Sequence, residues 1–158
     1  MPRQLRASAR AVVATSPDAV FAFLSDLRNH WRLARKNVTV VELEGAGIRS
    51  EGGRISVRAP LRICRVAQTR ITQAVRPADG VGGVVEGVAT TPEGTSLRVA
   101  WRLGLAPAGT QVVLELVVER ARPLDRLLLL AGGRRWLEQH LLRRAVADLE
   151  ELVTAQRR

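Results

Sequence analysis

Residues 122–152 read RPLDRLLLLAGGRRWLEQHLLRRAVADLEEL. Pro123 suits the first position of a helix, where a missing N–H removes no intrahelical bond. From Leu142 the apolar residues recur as Leu142, Ala145, Val146, Leu149, Leu152 and Val153, a stripe along one helix face. Leu124, Leu127, Leu128 and Ala131 join that face if the helix runs unbroken, but continuous phase also places Arg135 and Glu138 there. Either Gly132-Gly133 kinks the helix, because paired glycines weaken it, or Arg135 and Glu138 point into a polar part of a cavity. Both alternatives predict a long closing helix.

The chain before this helix reads as hairpins. In SLRVAWRLGL (96–105), Leu97, Val99, Trp101, Leu103 and Leu105 share one face, with Arg98 and Arg102 on the other. In QVVLELVVER (111–120), Val112, Leu114, Leu116 and Val118 oppose Gln111, Glu115 and Glu119. Residues 54–63 alternate likewise, Ile55, Val57, Ala59, Leu61 and Ile63 against Arg54, Arg58 and Arg62. Period-two alternation marks antiparallel strands with one buried and one wet face. Residues 38–44, 66–76, 82–90 and 4–14 fit four further strands. Turn signals separate them: GAG at 45–47, EGG at 51–53, PADG at 77–80, TPEG at 91–94 and PAGT at 107–110.

Near the start, Ser16-Pro17-Asp18 gives a capping serine, a first-turn proline and a carboxylate at the positive helix end. Val20, Phe21, Leu24 and Leu27 then follow at helical spacing, and Asn29-His30-Trp31 turns the chain into a second short helix.

At 158 residues the chain has the size of one domain, taken here as 1–158, and needs neither disulfide nor metal to hold a core. The single cysteine, Cys64, excludes an internal disulfide framework and a multi-cysteine metal site. The apolar run Ala11–Ala14 is too short for a signal-peptide core, and Leu127–Ala131 is far too short to span a bilayer. A cytoplasmic protein is the expectation. The net charge of +10 comes almost wholly from arginine and favours anionic partners in general without selecting one.

Two segments resemble a known superfamily. ATSPDAVFAFLSDLRNHWRL (14–33) is similar to the opening strand-to-helix passage of SRPBCC proteins, and residues 122–152 resemble the closing helix of bacterial polyketide-cyclase-like members. START-related lipid carriers and birch-pollen-allergen-like proteins also belong to that superfamily. The resemblance covers nearly the whole chain. It implies an α+β helix-grip fold: a curved seven-stranded antiparallel sheet, two short helices after strand 1, and a long C-terminal helix over the sheet. It also implies a cavity for a small hydrophobic ligand.

Candidate ligand-binding residues follow from these placements. Val99, Trp101 and Leu103 lie on an inward strand face, Trp101 serving as a flat pocket wall or as ordinary core. Leu128 stands on the closing helix. Trp31 and Trp136 gate a ligand or pack helix ends. Gln73 alternates with Ile71 and Val75, so it is expected inward, as a ligand's hydrogen-bond partner or bonded to a neighbour. Glu86 is a buried acid–base group if inward, and an arginine's partner if outward. Glu138 joins the set if the helix is unbroken. His30 and His140 read as surface or helix-end residues, in no metal or triad motif, and Cys64 as an outer-face thiol. Arg58, Arg62, Arg70, Arg76, Arg98 and Arg102 are expected to share the outer sheet face.

Three functions fit. The first is binding or transport of a lipid, quinone or polyketide-like molecule, with the leucine-rich, arginine-flanked helix start touching an anionic membrane during exchange. The second is a polyketide cyclase or dehydratase, drawing on Gln73, Glu86, Glu138 and His30. The third is a basic macromolecule-interaction domain. Nucleic acid is disfavoured, because no tyrosine, two phenylalanines and three tryptophans leave few rings for base stacking. No cofactor and no metal are expected.

Overall fold

The computed structural model describes residues 4–33, 35–44, 52–58, 64–79 and 81–155. The GAG turn at 45–47, Glu51 and Gly80 of neighbouring turns, and strand positions 59–63 with Arg62 lie outside them. Seven strands form one sheet: β1 (Arg6–Val13), β2 (Val38–Glu44), β3 (Gly52–Arg58), β4 (Cys64–Val75), β5 (Gly83–Thr90), β6 (Ser96–Ala106) and β7 (Gly109–Arg120). Every pairing is antiparallel, in the order β1-β7-β6-β5-β4-β3-β2. Successive hairpins thus lie side by side, and β1 closes against the last strand.

Between β1 and β2 lie α1 (Pro17–Leu24) and α2 (Leu27–His30). Ser16 caps α1 as its sequence implies, its Oγ accepting from the Ala19 amide at 3.4 Å. Val20, Phe21, Phe23 and Leu24 of α1 are buried, and the helix packs on β5, β6 and β7 and touches the closing helix. After β7 the chain runs through α3 (Pro123–Leu128), α4 (Arg134–Trp136) and α5 (Arg143–Ala155), joined by π-helical turns at Leu129–Gly133 and Leu137–Leu142. This is the α+β helix-grip arrangement. Its solid core joins Ala7, Val13, Val20, Phe23, Leu24, Leu103, Val112, Leu114, Leu149 and Val153, drawn from β1, α1, β6, β7 and α5.

The closing helix breaks where its glycines predict. Gly132 has φ +120° and ψ −9°, outside the range of L side chains. Gly133 is needed for a different reason, since a Cβ there would come 2.7 Å from the Leu128 carbonyl oxygen. The break and the π turns, each an extra residue in the helical ladder, end the continuous phase. Arg135 is consequently exposed, and Glu138 pairs with Arg134 at 3.4 Å. Leu124, Leu127, Leu128 and Leu130 do not extend the buried stripe but stand exposed, at 60, 62, 38 and 65%. Leu129 packs against the core.

One polar cluster ties α3 to the sheet. The Arg65 guanidinium meets Asp125 Oδ1 at 2.7 Å, and the Thr95 hydroxyl donates to Asp125 Oδ2 at 2.5 Å. Thr95 Oγ1 in turn accepts from the Arg122 amide at 3.3 Å. The carboxylate thereby fixes the helix start to β4 and to the β5–β6 turn.

Because nothing lies within 4 Å of a Cβ built on Gly132, only backbone strain opposes a side chain there. Gly132→Ala is expected to destabilise the fold by about 1–3 kcal/mol, the usual cost of a strained backbone position. Urea denaturation followed by circular dichroism measures it, and an unchanged midpoint would contradict the hinge geometry.

Candidate functional site

The end of α1 decides where the site's polar groups stand. The last carbonyls of a helix have no intrahelical partner, and residues of α1 and α2 supply donors for them. The Ser25 hydroxyl donates to the Phe21 carbonyl at 2.6 Å and the Asn29 side-chain amide to that of Phe23 at 2.9 Å. His30 Nε2 lies 2.5 Å from the Leu24 carbonyl oxygen. Asp26 caps α2 by accepting from the Arg28 amide at 3.1 Å, and also binds the Arg28 guanidinium. These bonds fold α2 back on α1 and carry His30 and Trp31 to the mouth of the sheet's concave side.

There they meet a cavity of about 150 Å³. Leu27, His30 and Trp31 line it from the α2 side, and Leu141, Leu142 and Ala145 from the closing helix. The sheet contributes Val38, Ile55, Ile71, Val85, Val99, Trp101, Leu114 and Leu116, so β2 through β7 all face one void. The wall is predominantly apolar, as small-molecule pockets are. The His30 and Trp101 rings meet edge-on, with centroids 6.1 Å apart and planes at 75°.

A carbonyl only accepts, so His30 Nε2 carries the proton on that bond. Burial pushes the imidazole below its ordinary pKa. The bond to Leu24 and the Asp26 charge oppose that shift without reversing it. The ring is therefore neutral near pH 7, with its lone pair on Nδ1. Among the described residues, no group of three or more His, Cys, Asp or Glu side chains could hold a metal ion.

Of the residues singled out in the sequence, Trp31, Val99 and Trp101 line the cavity. Glu86 borders it through its strand position, but its carboxylate lies on the outer face, 3.5 Å from Arg102. Gln73 is not inward. The β4–β5 register slips between Ile71 and Gln73, and this bulge at Thr72 reverses the parity of all that follows, leaving Gln73 exposed. The same reversal takes Arg76 away from the outer face. Its guanidinium sits 5.9 Å over the Phe21 ring and 3.9 Å from Asp18. Leu103 belongs to the solid core and not to the cavity wall. Leu128 is exposed, Trp136 stacks on His140 at 6.1 Å, and Glu138 is held by Arg134, so the helix break removes all three from the cavity. His30 does end α2, but its ring lines the cavity instead of the surface. Cys64 and His140 are exposed.

Four arginines of the outer sheet face are paired with carboxylates. Arg54 pairs with Glu42, Arg70 with Glu44, Arg98 with Glu119, and Arg102 with Glu86 and Glu115. Among the described residues no helix is long and apolar enough to cross a membrane.

An open antiparallel sheet gripping a helix over an apolar void defines a hydrophobic-ligand-binding class of domain. The family model described as polyketide cyclase / dehydrase and lipid transport matches residues 4–154, and the chain belongs to that family. No curated protein matches it in sequence. Among solved structures, TTHA0849 from Thermus thermophilus is 20% identical, with TM-score 0.64 over 96% of this chain and 98% of that one. The KanY protein (ms6282) is 17% identical, with TM-score 0.68 over 96% and 99%. Ara h 8.0201 is 11% identical, with TM-score 0.54 over 97% and 99%. At such identities the likeness is one of fold.

The depressed pKa of His30 gives stability a pH dependence of definite sign. With the folded-state pKa below the unfolded value near 6.5, the unfolded chain takes up the proton first. Stability contributed by neutral His30 is thus complete above about pH 6.5 and is lost as pH falls toward the folded value. The loss is at most about 1.4 kcal/mol per pH unit. Urea unfolding at pH 7 and pH 5 is expected to show a larger drop for the wild-type protein than for His30→Gln. Equal drops would place the ring in water.

Proposed function

We infer that the chain binds and carries a small hydrophobic molecule in the cavity between sheet and closing helix. The observation that supports this reading is the cavity wall itself, in which aliphatic side chains and Trp101 from β2 to β7 face Leu141, Leu142 and Ala145 across one void. Native mass spectrometry of protein purified from its own host tests it, with a stoichiometric lipid, quinone or aromatic polyketide as the expected finding. Val99→Trp, which would fill the void from β6, is expected to abolish binding while circular dichroism stays unchanged. An empty wild-type protein that also fails to bind a panel of such compounds would overturn the reading.

Exchange of the ligand at an anionic membrane is the finer part of the proposal. Leu124, Leu127 and Leu130 present an exposed apolar patch flanked by Arg122, Arg126, Arg134 and Arg135. Exposed apolar patches of this kind mark interaction sites, and a basic rim adds attraction to acidic headgroups. Sedimentation with phosphatidylglycerol vesicles is expected, weakened by salt and by the double variant Leu127→Ser/Leu130→Ser. Equal sedimentation of the variant would remove the patch from this role.

A cyclase or dehydratase acting in the same cavity is the second reading, and His30 is the observation that favours it. Acid–base chemistry there would centre on that one imidazole, since the Glu86 carboxylate and the Arg70 guanidinium are bound to Arg102 and Glu44. Two convergent titratable groups would support catalysis more strongly. The pairing of Arg54, Arg70, Arg98 and Arg102 on the outer face gives the macromolecule-binding reading less support.

A further inference from the structure

Two adjacent residues give the apolar cavity wall its polar character at the α2 end. Trp31 lines the cavity, and its indole Nε1 is buried with no hydrogen-bond partner. Buried donors are paired in the great majority of cases, so the exception calls for a partner from outside the chain. His30 lines the same cavity, with Nε2 committed to the Leu24 carbonyl. Its Nδ1 is left as an acceptor with no partner among the described residues. The edge-on contact with Trp101 holds the imidazole plane. Consecutive positions at the end of one short helix therefore place one unpaired donor and one unpaired acceptor beside the void.

A hydroxyl group needs that combination, since its oxygen accepts one bond and its hydrogen donates another. A carbonyl or ether would use Trp31 alone, and a hydrocarbon would use neither. Size adds a second limit. The cavity is about 150 Å³, and apolar protein cavities of roughly 150 Å³ hold a benzene ring.

We propose that Trp31 Nε1–H and His30 Nδ1 anchor a hydroxyl group, and that the ligand is an apolar ring compound bearing one, a phenol or a cyclic alcohol. This rests on the ligand-binding reading above and names its chemical class. Larger members of the class enter with the ring that carries the hydroxyl group.

The test uses the full chain, labelled with 15N, and three probes of nearly equal shape. 4-Ethylphenol donates and accepts, 4-ethylanisole only accepts, and ethylbenzene does neither. In the wild-type protein, 4-ethylphenol is expected to move the Trp31 indole N–H resonance downfield and the His30 Nδ1 resonance upfield. 4-Ethylanisole should shift Trp31 in the same sense without the His30 response. Trp31→Phe is expected to weaken 4-ethylphenol and 4-ethylanisole by about threefold to tenfold, the worth of one hydrogen bond, and to leave ethylbenzene within about twofold. His30→Gln should weaken 4-ethylphenol alone. The wild-type resonances report on both anchors even if a variant fails to fold. If all three probes bind and neither resonance distinguishes them, the anchor proposal is overturned while the cavity reading stands. If none binds, ethylbenzene included, the cavity reading fails and takes the anchors with it.

Discussion

Strands about 4.8 Å apart make a seven-stranded sheet roughly 29 Å wide, whereas one helix with its side chains covers about 10 Å. A single closing helix therefore cannot shield the apolar face of such a sheet. The rest of the fold follows from that mismatch. α5 and the preceding π turn take the side nearest β1, where Leu142, Val146, Leu149 and Val153 are buried. α1 plugs part of the remainder with Val20, Phe21, Phe23 and Leu24. What neither helix reaches is left as a void, walled by strand residues that would otherwise be core. Hydrophobic-ligand binding in this family is thus a property of coverage before it is a property of any one residue.

Alternation made much of this legible from the chain alone. Leu97 to Leu103 and Val112 to Val118 repeat with a period of two because both strands are central and unbulged along that length, apart from a slip at Ser96/Leu97. Gln73 misled the same argument. One extra residue at Thr72 inverts everything after it, and no composition signal marks a threonine in a strand as bulged. The closing helix misled it too. Gly132-Gly133 announced a break, but Leu137–Leu142 contains neither glycine nor proline to announce the second π turn. His30 was legible as the end of a short helix but not as a cavity residue. The signal lies in Asn29 and His30 standing six residues after Phe23 and Leu24, whose carbonyls they bond. That spacing has meaning only once α2 is known to fold back.

Those bonds also hold the polar end of the cavity in place. α1 ends in carbonyls that must be satisfied, and satisfying them with Asn29 and His30 fixes α2 against α1 at little further cost. The Nε2 proton of His30 is held by the Leu24 carbonyl, which settles the tautomer. Burial keeps the ring neutral by disfavouring the imidazolium, against the opposing effect of that bond. The site's acceptor is therefore a by-product of helix termination. The unpaired Trp31 N–H beside it costs about 1–3 kcal/mol, a sum the well-packed α1 core offsets.

The cavity lies on a boundary between two unequal halves. On one side β1, β5, β6, β7, α1 and α5 supply the solid core. On the other, the β2–β4 wing buries little, with Ile55 and Ala67 its only large-burial apolar side chains among the described residues. Much of its surface, including Val41, Val66 and Val75, is exposed. Regions with few buried apolar contacts open at the lowest free energy, so the wing and not the core is the side on which the cavity yields. An apolar molecule seated against Val38, Ile55 and Ile71 would give those strands the packing partner that the helices do not provide. An occupant of the void would therefore serve as part of the core and would couple the wing's stability to occupancy.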